Sequence, residues 1–358
     1  MRQNHTLWHL FILTSLFIFC SSSWAQTYKL SGSVLDAKSH ETLPGATIHI
    51  VGTNKGTISN RNGKYVMSLP RGNYSISVEL LGYKNGQFSF SLDSNTTHDF
   101  SLELSPVDLG TATVYAKNAE AIIRQAIAEK KKKRALLHTY QCDAYARLTI
   151  FSDKDIIGNS TKSKGGVQIG INAGSEDSLG IQGIMETYST AYWDENKGMR
   201  SIITQRRQTA NIPGESNFNN VFDIMDFNDD IQKLGKYEIA GPTSPDALDD
   251  YNYELMDVTE LNGKKIYRLR MTPKSDFAAL WDGIVSIADS TWDVVEVDVR
   301  PNGVVNFPFF DSLHYTQQFT LVDNKYWMPS DIVLGAYLKV NLVFTSILLR
   351  ADHSSILS

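Results

Sequence analysis

Between Tyr28 and Leu104 apolar and polar residues alternate in short runs, the period of two that a half-buried strand requires. In Tyr74-Ser75-Ile76-Ser77-Val78-Glu79-Leu80 the side chains of Tyr74, Ile76, Val78 and Leu80 share one face, and Ser75, Ser77 and Glu79 the other. Tyr65, Met67 and Leu69 repeat the pattern, as do Phe88, Phe90 and Leu92, and then Phe100, Leu102 and Leu104. Between these runs lie Asn60-Arg61-Asn62-Gly63 and Pro70-Arg71-Gly72-Asn73, where Gly and Asn supply positive φ and Pro presets a turn. About seven short strands at regular spacing predict a sandwich of two sheets.

Pro and Gly in Ser105-Pro106-Val107-Asp108-Leu109-Gly110 end that ladder, with room for one more strand over Thr111 to Ala116. From Asn118 the period changes. Ile122, Ile123, Ala126 and Ile127 fall on one helical face, with Arg124, Gln125 and Glu129 opposite. This predicts an amphipathic helix running to about Leu136, with Asn118 as N-cap and Glu120 in the first turn. Its basic end, Lys130 to Arg134, reads as a solvated terminus that complements the helix dipole, or as a patch facing membrane phosphates. From Thr139 the two-residue period returns in Tyr140, Cys142, Ala144, Ala146, Leu148 and Ile150. Hairpins are predicted around Asn262-Gly263, Asp289-Ser290 and Asp323-Asn324, and Val295, Val297 and Val299 call for one covered face. The expected fold is mainly β: a seven-stranded N-terminal β-sandwich, a linking amphipathic helix, and an antiparallel curved sheet of half-barrel type.

Composition adds an address. Met1-Arg2, an apolar core from Leu7 to Phe19 and the polar end Ser21 to Ala25 describe a cleavable export signal. The core is short of the roughly 20 apolar residues of a membrane span. Cys20 raises lipidation, but Phe17-Ile18-Phe19 stands where a small residue is wanted, so cleavage after Ala25 is favoured. The whole chain carries a net charge of −5, and residues 1–25 hold one base, Arg2, and no acid, so the mature chain comes to −6. That balance gives no general attraction to nucleic acid. Of two cysteines only Cys142 remains after cleavage, so no internal disulfide can form and packed cores must hold the fold.

Two resemblances follow from spaced residues. Gly32-x-Val34-x-Asp36, Leu43-Pro44-Gly45-Ala46, Gly52-Thr53, Gly56-Thr57, Gly63-x-Tyr65, Leu69-Pro70-x-Gly72-x-Tyr74 and Gly82-Tyr83 occur in that order. Over residues 28–105 this resembles the carboxypeptidase regulatory-like domain that begins many outer-membrane proteins of Bacteroidetes-type bacteria, a prealbumin-like accessory sandwich without peptidase activity of its own. Farther on come Tyr251-x-Tyr253, Gly263-Lys264-Lys265-Ile266-Tyr267, Trp281-Asp282-Gly283-Ile284-Val285, Trp292-Asp293-Val294-Val295 and Trp327-Met328-Pro329. Together with the sandwich they resemble an uncharacterised outer-membrane family of the same bacteria, whose members usually continue into a membrane β-barrel. Residues 250–340 are also similar to the curved half-barrel of periplasmic lipoprotein carriers. After Phe344 no repeated amphipathic strands of barrel type occur, so the chain is expected to lack that barrel or to be a piece of a longer protein.

Chemistry is harder to find. No histidine has Glu three residues later, and His40, His49, His98, His138, His314 and His353 stand singly. No Gly-x-Ser-x-Gly elbow, P-loop or Gly-x-Gly-x-x-Gly occurs. Asp153-Lys154-Asp155 opens like a calcium loop but puts Ile157 and Lys164 at ligand positions, and Asp226 to Asp230 lacks the glycine. No catalytic residue, metal site or cofactor is therefore assigned. Asp-Ser-apolar triplets mark Ser178, Ser290 and Ser312 as O-glycosylation candidates. Trp281, Trp292, Phe307 and Trp327 read as an aromatic core or as the lining of a lipid-accepting cavity under the curved sheet.

The expected organisation is a signal peptide at 1–25, the sandwich at 26–105, linker and helix at 106–138, the antiparallel domain at 139–345 and a tail at 346–358. The expected role is that of an exported, non-enzymatic envelope component at the periplasmic face of the outer membrane. It docks a protein partner through the sandwich. The alternatives are a lipid or lipoprotein carrier that uses the half-barrel, and an accessory to peptide or glycan processing.

Overall fold

The computed structural model describes residues 27–53, 55–60, 62–105, 119–134, 136–152, 180–209, 225–261, 263–307, 310–322, 325–341 and 346–357. The expected export signal with Cys20, the strand expected over Thr111 to Ala116, the expected N-cap Asn118, the stretch from Asp153 to Lys164 weighed as a calcium loop, and the glycosylation candidate Ser178 lie outside them.

The N-terminal unit is a sandwich. One sheet orders β4 (Lys64–Pro70), β1 (Thr27–Asp36) and β7 (Thr96–Thr97), with β8 (Phe100–Leu102) also on β1. The other orders β3 (Gly56–Ile58), β2 (Thr47–Ile50), β5 (Gly72–Glu79) and β6 (Gly86–Leu92). Alternate residues of each strand turn inward, so Leu30, Val34, Ile48, Ile76, Val78, Leu92 and Phe100 are fully buried in one core. The phenol of Tyr65 stacks on Phe100 and donates to His98 O at 2.6 Å, tying β4 to the segment before β8. Gly32 is where that segment crosses β1: a Cβ there would lie 1.8 Å from His98 O. Gly63 holds φ +65° in the turn into β4, a conformation that a side chain resists.

The second unit is a ten-stranded antiparallel sheet in the order β11-β10-β9-β20-β19-β18-β17-β16-β15-β14. Its strands are β9 (Thr139–Ser152), β10 (Gly180–Asp194), β11 (Gly198–Gln208), β14 (Tyr251–Leu261), β15 (Lys264–Pro273), β16 (Trp281–Ala288), β17 (Val294–Pro301), β18 (Phe310–Val322), β19 (Tyr326–Asn341) and β20 (Ser346–Leu357). β12 (Ile231–Leu234) and β13 (Tyr237–Ala240) form a separate hairpin, followed by the short α2 (Ala247–Asp250). The sheet curves without closing. Its meander carries the expected hairpins, with β14 and β15 paired from Leu261↔Lys264 to Tyr251↔Pro273.

Two expectations change here. The segment read as a tail from 346 is β20, an interior strand hydrogen-bonded to β19 on one side and β9 on the other. With partners on both sides its backbone is fully engaged whatever its side chains, which is why polar residues do not prevent a strand there. The helix α1 (Ala119–Arg134) is more than a linker: Ala119, Ile122, Ile123 and Ala126 are buried in the same core as Trp281, Val285 and Val297. Its basic end is tied to the second unit. Lys130 pairs with Asp230 at 2.6 Å, and Lys133 pairs with Asp293 and donates to Thr291 O at 2.8 Å, while Lys131 and Lys132 are exposed. Lys132 pairs with Glu129 of the same helix at 2.7 Å, so three of the lysines have protein partners and do not form a free basic patch.

Candidate functional site

Strand periodicity gives the large sheet two different faces. Across its hydrogen-bonded register run Leu269, Val285, Val297, Gln317, Ile332, Ser355, Ala146 and Thr187, each buried, on the face that α1 and Phe227 cover. One residue along each strand runs the opposite row, Arg268, Ser286, Glu296, Gln318, Asp331, Ile356, Tyr145 and Tyr188. The sandwich sits on this second face: Ile356 lies under Gly56, and Thr47 Oγ1 donates to Gln318 Oε1 at 3.4 Å.

On the first face a pocket of about 680 Å³ opens beside the packed core. Trp193, Met199, Met225, Met328, Ile332 and Leu357 supply apolar walls, and Tyr140 stacks on Trp193 at 5.3 Å. Methionine thioethers are flexible and polarisable, so a wall rich in them adapts to an unbranched chain. Part of the polar lining is engaged. Gln317 Oε1 accepts from Phe227 N at 2.9 Å, and Gln232 Nε2 donates to Asp229 O at 2.8 Å. Gln232 Oε1, buried, has no hydrogen-bond partner. Burial pushes the Cys142 thiol up to about 11, so it is no nucleophile at neutral pH. Beyond the pocket on this same face His353 is buried with Nε2 unpartnered, and desolvation lowers it to about 4, which keeps the imidazole neutral.

The four aromatic residues expected around a cavity do not line this pocket. Trp281 is fully buried against Phe227 at 5.3 Å, with its backbone N–H donating to Tyr251 Oη at 3.2 Å. Trp292 stacks on Tyr267 at 6.1 Å, and Trp327 donates from Nε1 to Thr291 Oγ1 at 3.3 Å. Phe307 stands apart, edge-on to Tyr237 at 5.4 Å. The three tryptophans are thus core and core border, and Trp327 also reaches the smaller cavity on the other face. The pocket instead draws residues from Leu137 to Leu357 and from a segment after Met225 that has no clear periodicity, so no local pattern marks it. Ser290, at φ +68° in the β16–β17 turn, and Ser312 on β18 are both exposed.

A second cavity, of about 270 Å³, lies between sandwich and sheet and is lined by Thr47, His49 and Glu79 from the first unit and Glu296, Gln318 and Asp331 from the second. Burial pushes Asp331 up to about 7, and burial likewise raises Glu296. Among the described residues no group of three or more His, Cys, Asp or Glu could hold a metal ion, and no helix is long and apolar enough to cross a membrane.

Residues 30–115 match the model of the CarboxypepD_reg-like domain, and residues 122–346 match that of a family of unknown function, DUF5686. No curated protein matches the chain. Among solved structures, a LolA superfamily protein from Nitrosomonas europaea is similar at 10% identity over 66% of this chain and 92% of its own, with a TM-score of 0.23. A putative membrane-associated protein of unknown function from Bacteroides fragilis is similar at 10% identity over 92% and 97%, with a TM-score of 0.19. A DUF3823 family protein from Bacteroides ovatus is similar at 11% identity over 51% and 98%, with a TM-score of 0.19. Scores this low carry no argument about function.

Proposed function

The chain belongs to the DUF5686 family, and on that footing we propose that it is an exported, non-enzymatic envelope protein whose large sheet takes up an apolar chain of lipid type on its helix-covered face. One observation carries this reading: the pocket of about 680 Å³ walled by methionine, tryptophan and aliphatic side chains. Its volume falls in the range of small-molecule sites, and its apolar walls are joined by polar residues such as Gln232, Lys233 and Gln317, the mix of apolar surface and a few placed polar groups that such sites use. Burial keeps the Cys142 thiol beside the pocket protonated at neutral pH.

Native mass spectrometry of the full chain purified without harsh detergent is expected to show a co-purified lipid, and a fluorescent fatty-acid probe is expected to bind and be displaced by unlabelled fatty acid. Met199 lines the pocket at a position 37% exposed, so Met199→Glu leaves the core intact while placing a charge against the walls. It should weaken the probe by about tenfold or more, a difference of about 1.4 kcal/mol. Absence of both lipid and probe binding from folded protein would reject the reading.

A second reading concerns the sandwich, as a module that docks a partner in the envelope. β6 pairs only with β5 among the described strands and alternates exposed and half-buried residues, an edge open to strand addition. Pull-down with the full chain and with a variant carrying Ser89→Pro on β6 tests it; equal recovery of partners by both would count against this edge.

A further inference from the structure

The cavity between the domains is apolar along Leu80, Leu261, Val295, Phe319 and Trp327, and three carboxylates face it, Glu79, Glu296 and Asp331. Among the described residues no lysine or arginine lines it, and His49 is the one basic side chain that does. Asp331 is only 8% exposed, and its Oδ1 has no hydrogen-bond partner. Glu296 accepts from Ser286 Oγ at 3.3 Å and from Gln318 Nε2 at 3.2 Å, and Glu79 from Ser77 Oγ at 3.0 Å; these donors are neutral. The cation that acts on Glu296 is Arg268, whose guanidinium is already paired with Asp257 at 3.0 Å, and Asp298 adds a further negative charge. Carboxylates withdrawn from water and left without a cation cost several kcal/mol each. A positive group entering the cavity would offset that cost, and the Trp327 and Phe319 rings suit a cation as well as an alkyl chain. The volume, about nine waters' worth of liquid, admits an ammonium head with a short stem.

We propose that this cavity binds a primary alkylammonium group, its head held by Asp331, Glu296 and Glu79 and its stem against Leu80, Leu261 and Val295. Because the sandwich and the sheet each contribute walls, the ligand clamps one domain on the other. Its three carboxylates line this cavity and not the apolar pocket, although Thr320 and Leu357 border both, and the site stands whether or not that pocket holds a lipid.

Calorimetric titration of the full chain at about pH 8, where an alkylamine is still protonated, tests the proposal. Hexylammonium supplies a free amine, Nα-acetyl-lysine amide supplies the same group as a side chain, and hexanol is the uncharged control. At least one of the two ammonium compounds is expected to bind about tenfold or more tightly than hexanol. Their difference tells a free amine from a lysine side chain as the natural source. E296Q/D331N should abolish the preference for ammonium, and E79Q, at a half-buried position on the sandwich, should weaken it severalfold. Binding of the fatty-acid probe in the apolar pocket, which none of the three carboxylates lines, should be unchanged in these variants, which separates failure of this site from failure of that one. The proposal is overturned if neither ammonium compound binds the wild-type chain better than hexanol, or if the preference survives in folded E296Q/D331N. Should the double variant not fold, an undiminished preference in E79Q overturns it equally.

Discussion

The two faces of the ten-stranded sheet come from the same strands, one residue apart, and differ in almost every physical respect. Toward α1 the register runs through Leu269, Val285, Val297 and Ile332, and the space is filled by aromatic and aliphatic side chains until it opens into a pocket. Toward the sandwich it runs through Arg268, Glu296, Gln318 and Asp331, and the contact is polar, with a small acid-lined cavity. A period of two therefore does more than set inside against outside in this domain. It separates a face that packs by volume from a face that meets the sandwich through mixed polar and apolar side chains. Neither face is left to solvent over the middle of the sheet, which is why Gln317 and Gln318 are both withdrawn from water though they point opposite ways.

The contrast can be broken most directly at its centre. Trp281→Ala removes a fully buried indole from the packed face and should cost about 3–5 kcal/mol in urea unfolding. Gln318→Ala on the docking face removes hydrogen bonds to Thr47 and Glu296 and should cost about 1 kcal/mol. Equal losses at the two positions would erase the distinction.

The faces should also respond to pH with opposite signs. On the packed face His353 is held down to about 4 from 6.5, so its contribution is present above pH 6.5 and lost as pH falls through about 4. On the docking face Asp331 is raised from 3.8 to about 7, so its contribution is present below pH 3.8 and lost as pH rises through about 7. Glu296, raised by burial, acts in the same direction as Asp331. On those values the His353 effect is at most about 3 kcal/mol and the Asp331 effect at most about 4 kcal/mol. Urea midpoints followed from acid to neutral pH should lose their acid-side fall in His353→Leu and their rise toward acid in Asp331→Asn. A wild-type slope in either variant would show that the group does not carry it.

Smaller effects mark the border of the comparison. Lys133→Ala frees α1 from Asp293 and Thr291 O and should cost about 1–2 kcal/mol, since both partners are largely buried. Lys84→Ala breaks a pair whose side chains are 56% and 70% exposed and should stay within about 0.5 kcal/mol by thermal melting.

Much of this architecture was legible along the chain. Tyr65, Met67, Leu69, Ile76, Val78 and Leu92 alternate locally, and each is buried or packed on the sandwich core, because a strand's faces depend only on residues two apart. The apolar stripe of α1 was visible for the same reason at helical spacing, though what it packs against was not. β20 was hidden because His353 and Ser355 occupy inward positions, and polar residues there mask the alternation. Its strand nature comes from pairing with β9, which starts the domain, and with β19; the first of those partners lies about two hundred residues away in the chain. The tryptophans were visible as a cluster, but whether they fill or line a space depends on Phe227 and Tyr251 arriving over them.

Sequence alone determined the class of this protein: short alternating strands, a single amphipathic helix, an export-type leader pattern and the spaced glycines and tyrosines of an accessory sandwich. These are local properties, set by backbone sterics and side-chain period. Tertiary structure decided where the empty space lies. A cavity is the volume that distant segments fail to fill, and charge becomes costly only where another domain excludes water from it. Met199, Met328 and Ile332 became a wall, and Glu79, Glu296 and Asp331 became neighbours, only when the chain had closed on itself.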